Sequence, residues 1–210
     1  ITGQVCPKMG KCRVAVFAAD NGVVDEGVSC APRSVTLQQA INMTRRRTGM
    51  SAMAAAFGDD VAVVDVGIAA DVPGVGILDR KVRRGTGNIA VEDAMTRPEA
   101  LAAMAAGMEQ AALAKADSVT ALGIGEMGIG NTTTSSAVAS VLLGRPVQEM
   151  TGRGAGLSDE GLRRKIDAIR RGIVVNRPDA ADPLGVLAAL GGFDIAGLCG
   201  VFLGGALENV

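Results

Sequence analysis

The chain has 210 residues, of which 48% are apolar and 20% are charged, and this balance is typical of a folded globular protein with a full core. Its 21 basic and 22 acidic residues nearly cancel, and with no Trp or Tyr the sequence has neither the basic stripe nor the stacking platforms of a nucleic-acid-binding protein. The absence of histidine excludes a Ser-His-Asp triad, a Cys-His pair and a His-ligated metal site within this chain.

Three short apolar runs alternate with helical stretches along the chain. Such alternation predicts an α/β fold with a mostly parallel sheet flanked by helices, in a single domain over residues 1–210. Ligands of parallel sheets bind beyond the carboxyl ends of the strands, so acidic residues at these ends are candidate site residues. The runs are residues 13–19, 61–68 and 119–124, and the acidic residues are Asp20, Asp65 and Glu126.

Capping signals predict where several helices begin and end. Thr96 and Glu99 fit a capping box, and Ser158 fits the N-cap of a helix that has an apolar stripe. Asn131 is predicted to open another helix as its N-cap, and Gly144 is predicted to close it from the C′ position.

Other segments predict breaks and loops. Residues 34–57 have helical character with an expected interruption at Gly49, and residues 71–88, with four glycines, predict a long loop. The basic cluster at 80–84 is expected to face solvent, as charge runs usually do. Because the chain does not start with methionine and residues 196–210 stop where further structure could begin, we expect it to be part of a longer protein.

The most informative segment is residues 123–136, with the sequence GIGEMGIGNTTTSS. Glycines allow close approach of the backbone to an anion, and free N–H groups at a helix start point towards it, so the segment predicts a phosphate site. It is not a P-loop, because no GK[ST] follows the glycines. The glycines also fit GxGxxG, but Glu126 among them would repel a pyrophosphate. The alternative is a tight turn that binds nothing.

A second glycine-rich segment, TGRGAGL at residues 151–157, also precedes a predicted helix. It contains Arg153, and an arginine can bind a phosphate through two hydrogen bonds. A phosphorylated sugar has both a phosphate and ribose hydroxyls to be held, and two such loops suit that ligand. We therefore predict a site for a sugar phosphate.

The acidic residues leave alternatives open. Glu126 is a candidate base or hydroxyl ligand, or else a structural carboxylate that caps backbone amides. Asp20, Asp65 and Asp71 are candidate ligands of Mg²⁺, which would suit a phosphatase acting on sugar phosphates. The four cysteines have no CxxC spacing, which favours thiols of a reducing compartment over a zinc or redox motif.

Four segments of the chain resemble the nicotinate-nucleotide–dimethylbenzimidazole phosphoribosyltransferase family. They are FAADNGVVDEGVS at 17–29, GEMGIGNTT at 125–133, TGRGAGL at 151–157 and DPLGVLAALGGFDIAGLCG at 182–200. The similarity runs in order from about Val14 to the end, and GEMGIGNTT is unusual enough to be specific. The resemblance implies the Rossmann-like large domain of that family.

The resemblance also implies roles for individual residues. Lys165 would contact the substrate phosphate, the aromatic acceptor would lie near Ser29, Gln38 and Met127, and Glu126 would be an auxiliary carboxylate. We expect neither a metal nor a cofactor. The residues implied to hold the phosphoribosyl group are Gly128, Gly130, Asn131, Thr132, Thr133, Gly152, Arg153, Gly154 and Gly156.

The implied reaction moves phosphoribose from nicotinate mononucleotide to an aromatic base, either 5,6-dimethylbenzimidazole or a phenolic acceptor. It releases nicotinate and gives the α-ribotide of the cobamide lower ligand. The acceptor loses its proton to a principal base, which the resemblance places at a glutamate beyond Val210. The resemblance further implies a homodimer, or a heteromer with a paralogue. With no signal peptide and no apolar span of membrane length, the sequence itself predicts a cytoplasmic protein that does not bind a membrane, and its charge balance predicts no nucleic-acid partner.

Two departures from the family pattern concern the acceptor side. The family usually has histidine at the position of Asn21, and a Gly-Gly-Ala-Ala-like stretch where residues 46–50 read RRTGM. Both changes suit the two-subunit branch that attaches phenol or p-cresol. They also suit the alternative of a non-catalytic subunit, which binds nucleotide and supports a paralogous partner.

Overall fold

The computed structural model of the protein describes residues 5–6, 10–74 and 76–208. Within them four parallel strands form one sheet in the order β3-β2-β1-β4, with helices packed against it. The predicted α/β fold with a parallel sheet is therefore confirmed. The strands are β1 (Lys11–Ala19), β2 (Asp60–Gly67), β3 (Ile77–Asp79) and β4 (Val119–Met127).

Eight α-helices and one 3-10 helix, Gly22–Glu26, accompany the sheet in the described part of the chain. None of these helices is long and apolar enough to cross a membrane. The α-helices are α1 (Val35–Thr44), α2 (Gly49–Phe57), α3 (Arg97–Ala116), α4 (Asn131–Leu142), α5 (Val147–Met150), α6 (Asp159–Asn176), α7 (Pro183–Leu190) and α8 (Phe193–Glu208).

The strand register brings the ends of β1, β2 and β4 to one edge of the sheet. Ala18 of β1 pairs with Asp65 on one side and with Met127 on the other, and Phe17 pairs with Glu126. The loops that follow these strands therefore start side by side, as expected for a parallel sheet whose ligands bind at the carboxyl ends.

The main core lies between the sheet and the pair α3 and α8, with Phe17 and Phe193 fully buried in it. These two helices approach backbone to backbone. A Cβ on Gly107 would lie 2.0 Å from Gly197 O, and one on Gly200 would lie 1.9 Å from Met104 O. Glycine is therefore required at both positions, and it allows α8 to pack close to α3. The first turn of α8 then lies under the ends of β1 and β4.

Several helix boundaries follow the predicted capping signals. Thr96 and Glu99 form the capping box of α3, and the Ser158 hydroxyl accepts a hydrogen bond from Gly161 N at 3.1 Å at the start of α6. Gly144 follows α4 with φ of 59°, in the left-handed region that glycine adopts without strain. These predictions are confirmed.

Two boundaries differ from the prediction. The N-cap of α4 is Gly130, with φ of 96°, so Asn131 lies in the first turn instead of capping it. The helical region is interrupted at residues 45–48, before Gly49, the first residue of α2. Thr48 and Ser51 form the capping box that starts this second helix.

The predicted long loop at 71–88 contains the short strand β3, which the sequence analysis missed. The prediction that its basic cluster faces solvent was wrong for Lys81. That ammonium lies 3.0 Å from an Asp65 carboxylate oxygen and donates to two backbone carbonyls. Arg80 pairs with Glu109 of α3 at 2.6 Å. The cluster ties the loop to the sheet and to α3.

Candidate active site

The turn between β4 and α4 is shaped by glycines at close contacts. A Cβ on Gly128 would lie 2.4 Å from Ala19 O, at the end of β1, and one on Gly130 would lie 2.8 Å from a Val24 methyl group. Gly130 also has a positive φ of 96°. The backbone here packs tightly on the neighbouring strand, and only glycine fits at either position.

The first turn of α4 carries the polar residues that follow these glycines. Asn131 N donates to Gly128 O at 3.1 Å, and Thr133 N donates to Gly130 O at 2.9 Å. Thr133 is fully buried and its hydroxyl has no partner among the described residues, whereas Thr132 is exposed at the surface of the turn. The positive end of the helix dipole at this turn suits an anion.

Lys165 of α6 joins this turn to the second glycine-rich segment. Its Nζ donates to the Thr132 hydroxyl at 2.7 Å and to Gly152 O at 3.1 Å, although the residue is only 1% exposed. Burial lowers the pKa of the Lys165 ammonium, and no described acid offsets the shift. A buried cation without a counter-ion is well placed for an anionic ligand.

Both glycine-rich segments and residues 28–30 line one cleft of about 80 Å³. Gly154 faces Thr132, since a Cβ there would lie 3.0 Å from its hydroxyl, and its φ is 54°. Arg153 also lines the cleft, with its guanidinium bonded to Leu157 O at 3.0 Å and paired with Asp159. Gly152 and Gly156 lie outside the cleft lining.

The residues implied for the aromatic acceptor are distributed over three places. Ser29 lines the cleft between the loops. Gln38 lines a separate cavity of about 340 Å³ together with Asp20 and the side chain of Leu37. Met127 packs against a small apolar cluster that includes Ala18. The structure thus brings Ser29 to the cleft between the two glycine-rich segments and Gln38 to a separate cavity.

Asp20 is almost completely buried beside that cavity. One carboxylate oxygen accepts from Ala69 N at 2.8 Å, and the other has no partner among the described residues. Burial raises the pKa of Asp20, and the bond from Ala69 partly offsets the rise. This second oxygen is buried as well.

Glu126 and Asn131 are directly bonded, the Asn131 amide nitrogen donating to the carboxylate. As a whole residue Glu126 is exposed along the outer edge of β4, but its carboxylate lies against the start of α4. This partial burial raises the pKa of Glu126, and the bond from Asn131 lowers it in part. Its carboxylate therefore lies beside the turn between β4 and α4.

The alternative of a Mg²⁺ site requires Asp20, Asp65 and Asp71 to converge, and they do not. Asp65 accepts from Gly67 N and Ile68 N and pairs with Lys81, while Asp71 pairs with Arg84. No group of three or more candidate metal ligands occurs within residues 5–6, 10–74 and 76–208.

Two further polar residues are buried behind the turn between β4 and α4: Asp194 had no predicted role, and Asn21 was singled out only as a departure from the family pattern. Asp194, in the first turn of α8, is fully buried, and one of its oxygens has no partner in the described structure. Burial raises the pKa of Asp194 to about 6, with a smaller contribution from the charge of Glu126. Asn21 is buried beside it. The sequence signal for Asp194 was an aspartate at the start of an otherwise apolar helix.

Comparison with known proteins identifies the family. A family model described as Phosphoribosyltransferase matches residues 1–210. The nicotinate-nucleotide–dimethylbenzimidazole phosphoribosyltransferase of Acetivibrio thermocellus is 50% identical over 206 residues, which are 98% of this chain and 59% of that protein. The protein of the same name from Clostridium acetobutylicum is 47% identical over 210 residues, covering 100% of this chain and 60% of that protein.

A solved structure agrees with these relatives. The crystal structure of CobT from Thermus thermophilus matches 99% of this chain and 62% of its own, with a TM-score of 0.93 and 42% identity. The chain thus spans about three fifths of the length of the proteins that it matches. With a family model matched along all 210 residues, the chain belongs to the nicotinate-nucleotide–dimethylbenzimidazole phosphoribosyltransferase family.

Proposed function

We propose that this chain carries the phosphoribosyl-binding part of an enzyme that moves phosphoribose from nicotinate mononucleotide to an aromatic base. The observation that carries the proposal is the position of Lys165, whose buried ammonium joins the two glycine-rich loops through Thr132 and Gly152. The relatives named for this reaction are similar along the whole chain.

The phosphate is proposed to bind where the Lys165 ammonium, the Thr132 hydroxyl and the start of α4 meet. The helix dipole and the ammonium both favour a negative charge, and their effect is stronger because the site is partly buried. Ribose hydroxyls would then lie along the cleft that Ser29 and Gly154 line. This arrangement would hold the anomeric carbon in a fixed place beside Glu126.

The transfer proceeds by displacement at the anomeric carbon. A nitrogen or oxygen of the acceptor forms the new bond, the bond to nicotinate breaks, and its electron pair stays on the nicotinate nitrogen. Nicotinate is already activated as a pyridinium, so only the acceptor has to lose a proton to a base. We assign Glu126 as an auxiliary carboxylate, the principal base being a glutamate beyond Val210, as the resemblance implies.

The acceptor is proposed to enter through the 340 Å³ cavity that Asp20, Leu37 and Gln38 line. The cavity is mainly apolar, as an aromatic base requires, and Arg33, Ser34 and Gln38 contribute polar groups to its lining. A benzimidazole and a phenol both fit that description. We further propose a cytoplasmic enzyme, since its four cysteines are free, that acts as a homodimer or a heteromer.

The test is to incubate the full-length enzyme with nicotinate mononucleotide and a mixture of dimethylbenzimidazole, adenine, phenol and p-cresol. Mass spectrometry should detect released nicotinate and a ribosyl-phosphate adduct of one base, and the adduct identifies the acceptor. Lys165→Met should strongly reduce the adduct, whereas Lys115→Met, an exposed lysine on α3, should not. Binding of the nucleotide without any adduct, even with a co-expressed paralogue, would contradict the proposed activity.

A further inference from the structure

We propose that residues 152–156 form a lid over the Lys165 ammonium, and that this lid opens to admit the substrate phosphate. The inference deepens the proposed function and rests on it, because the phosphate is assigned to the same ammonium. The lid is the exposed middle of the second glycine-rich segment. On opening, Lys165 would exchange its bond to Gly152 O for a bond to the phosphate.

The Lys165 ammonium is covered in the structure. The residue is 1% exposed, and the cleft between the two glycine-rich segments is lined by Thr132 and Gly154 but not by Lys165. A Cβ on Gly154 would lie 3.5 Å from Lys165 Nζ and 3.0 Å from the Thr132 hydroxyl, so the lid backbone passes close to both groups. A phosphate in the cleft therefore reaches the ammonium only after the lid has moved.

The cleft is also too small for the proposed substrate. Its volume is about 80 Å³, whereas sites that bind small molecules usually have about 300–1,000 Å³. The lid contributes Arg153, Gly154 and Ala155 to the lining, and the rest comes from residues 28–30, 128–132 and 157. Displacing the lid would widen the cleft and join it to the space around the ammonium.

Few contacts hold the lid in place. Two hydrogen bonds join it to distant parts of the described chain. Lys165 Nζ donates to Gly152 O at 3.1 Å, and Cys30 Sγ donates to Ala155 O at 3.5 Å. The contacts of the Arg153 guanidinium reach only the nearby residues that lead into α6. A thiol is a weak donor, and an exposed segment with few contacts opens locally at little cost in free energy.

Buried residues and glycines mark the two ends of the lid. Thr151 and Leu157 are each 8% exposed, and the Thr151 hydroxyl donates to Val147 O at 2.6 Å, so both ends are anchored. All five residues between them are exposed. A Cβ on Gly152 or Gly156 would meet no described atom within 4 Å, which leaves room beside the backbone. The lid can therefore turn about these two glycines.

The exchange of partners at Lys165 favours the phosphate. The two described hydrogen bonds of the ammonium go to neutral oxygens, those of Gly152 and Thr132. A phosphate oxygen is negatively charged, so its attraction to the ammonium adds to the hydrogen bond and is stronger in a partly buried site. The apparent affinity for the nucleotide is then lowered by the fraction of protein whose lid is closed. Locking the lid should therefore weaken binding of the nucleotide.

The test uses a reversible disulfide that locks the lid. Because Cys30 contacts Ala155 O, full-length Ala155→Cys is oxidised to bridge Cys30 and the introduced thiol, and mass spectrometry of the bridged peptide confirms the bond. We expect calorimetry to show about a 10-fold or greater loss of affinity for nicotinate mononucleotide, with recovery after reduction. The matched control combines Ala155→Cys with Cys30→Ser, which prevents this bridge, and its affinity should not respond to the oxidant.

Chemical labelling of lysines tests the lid without any substrate. A small acylating reagent can modify Lys165 only while the lid is open. Oxidation of Ala155→Cys should therefore slow the labelling of Lys165 about 10-fold or more, as followed by mass spectrometry of the labelled peptides. Lys115, which is exposed on α3, should be labelled at the same rate in both forms.

Either equal affinity or equal labelling of Lys165 in the bridged and reduced forms would overturn the inference. If the bridge does not form, stopped-flow binding to the wild-type enzyme decides. The observed rate should level off as the nucleotide concentration rises, because opening of the lid limits it, and a linear rise would contradict the lid. Labelling that depends on the lid, without any binding of the nucleotide, would instead remove the proposed function.

Discussion

The two glycine-rich loops of the site look alike in sequence but differ in what surrounds their glycines. A Cβ on Gly128 would lie 2.4 Å from Ala19 O and 2.5 Å from an Asp194 oxygen. A Cβ on Gly152 or Gly156 would meet no described atom within 4 Å. The first loop needs glycine because of packing, whereas in the second Gly152 and Gly156 leave open space beside the backbone.

This difference indicates separate roles for the two loops. The first is fixed by β1 and α8, and we propose that it provides a rigid platform for the phosphate. The second is held to it through Lys165, which bonds both Thr132 and Gly152 O, so its position depends on one side chain. We therefore expect substitutions in the first loop to affect stability, and those around Lys165 to affect binding.

The largest effect is expected from Gly128→Ala. The new methyl group would overlap a backbone oxygen that cannot move without disturbing β1, so the free energy of unfolding should fall by about 3 kcal/mol. Urea denaturation of the full-length protein measures this change. A stability within about 1 kcal/mol of wild type would show that the platform is not rigid.

A pH effect on binding should come next. Because burial lowers the pKa of Lys165, the ammonium loses its proton at a pH below the usual lysine range, and the phosphate then loses its cation. We predict that kcat/KM for nicotinate mononucleotide falls as the pH rises through that pKa. Lys165→Arg remains charged at every accessible pH, so its profile should lack this fall. If kcat/KM still falls with rising pH in Lys165→Arg, another titrating group causes the fall.

A smaller effect is expected from Gly154→Ala in the second loop. Its φ of 54° disfavours alanine, and the Cβ would lie 3.0 Å from the Thr132 hydroxyl. We predict a loss of about 1 kcal/mol in stability, with weaker binding of the nucleotide as Thr132 shifts away from Lys165. Calorimetric titration with nicotinate mononucleotide tests the second part, and unchanged affinity would contradict it.

The smallest effect is predicted for Gly152→Ala, which is the matched control for Gly128→Ala. The position has open space in the described structure and no positive φ. Stability should therefore change by less than about 0.5 kcal/mol, as at other unconstrained surface positions. If both alanine variants lose the same stability, the contrast between the two loops is wrong.

The sequence predicted those features that depend on local signals. The capping box at Thr96, the N-cap Ser158 and the parallel sheet follow from neighbouring residues and from the alternation of elements, and all three are confirmed. The short strand β3 was missed because its three residues are too few to show a pattern. The N-cap of α4 was misplaced because a glycine in the left-handed region took that position.

The candidate site was only partly predictable, because its parts meet across the fold. Lys165 is bonded to Thr132, which lies 33 residues away, and only the resemblance gave it a role. Its spacing from Leu162 and Ile169 does place it on the buried face of α6, and a lysine on such a face is a usable signal. Asp194 lies beside Gly128 and Asn21 because of the packing of α8, which no local pattern shows.

The most direct test of the account is whether Lys165 recognises the phosphate. Affinities for nicotinate mononucleotide and for the corresponding riboside, which lacks the phosphate, should be measured by calorimetry in full-length wild type, Lys165→Met and Lys115→Met. We predict that Lys165→Met loses about 30-fold of the preference for the nucleotide, as expected for one charge-assisted hydrogen bond, and binds the riboside as wild type does. Lys115→Met should keep the full preference. Full preference for the nucleotide in Lys165→Met would contradict the account.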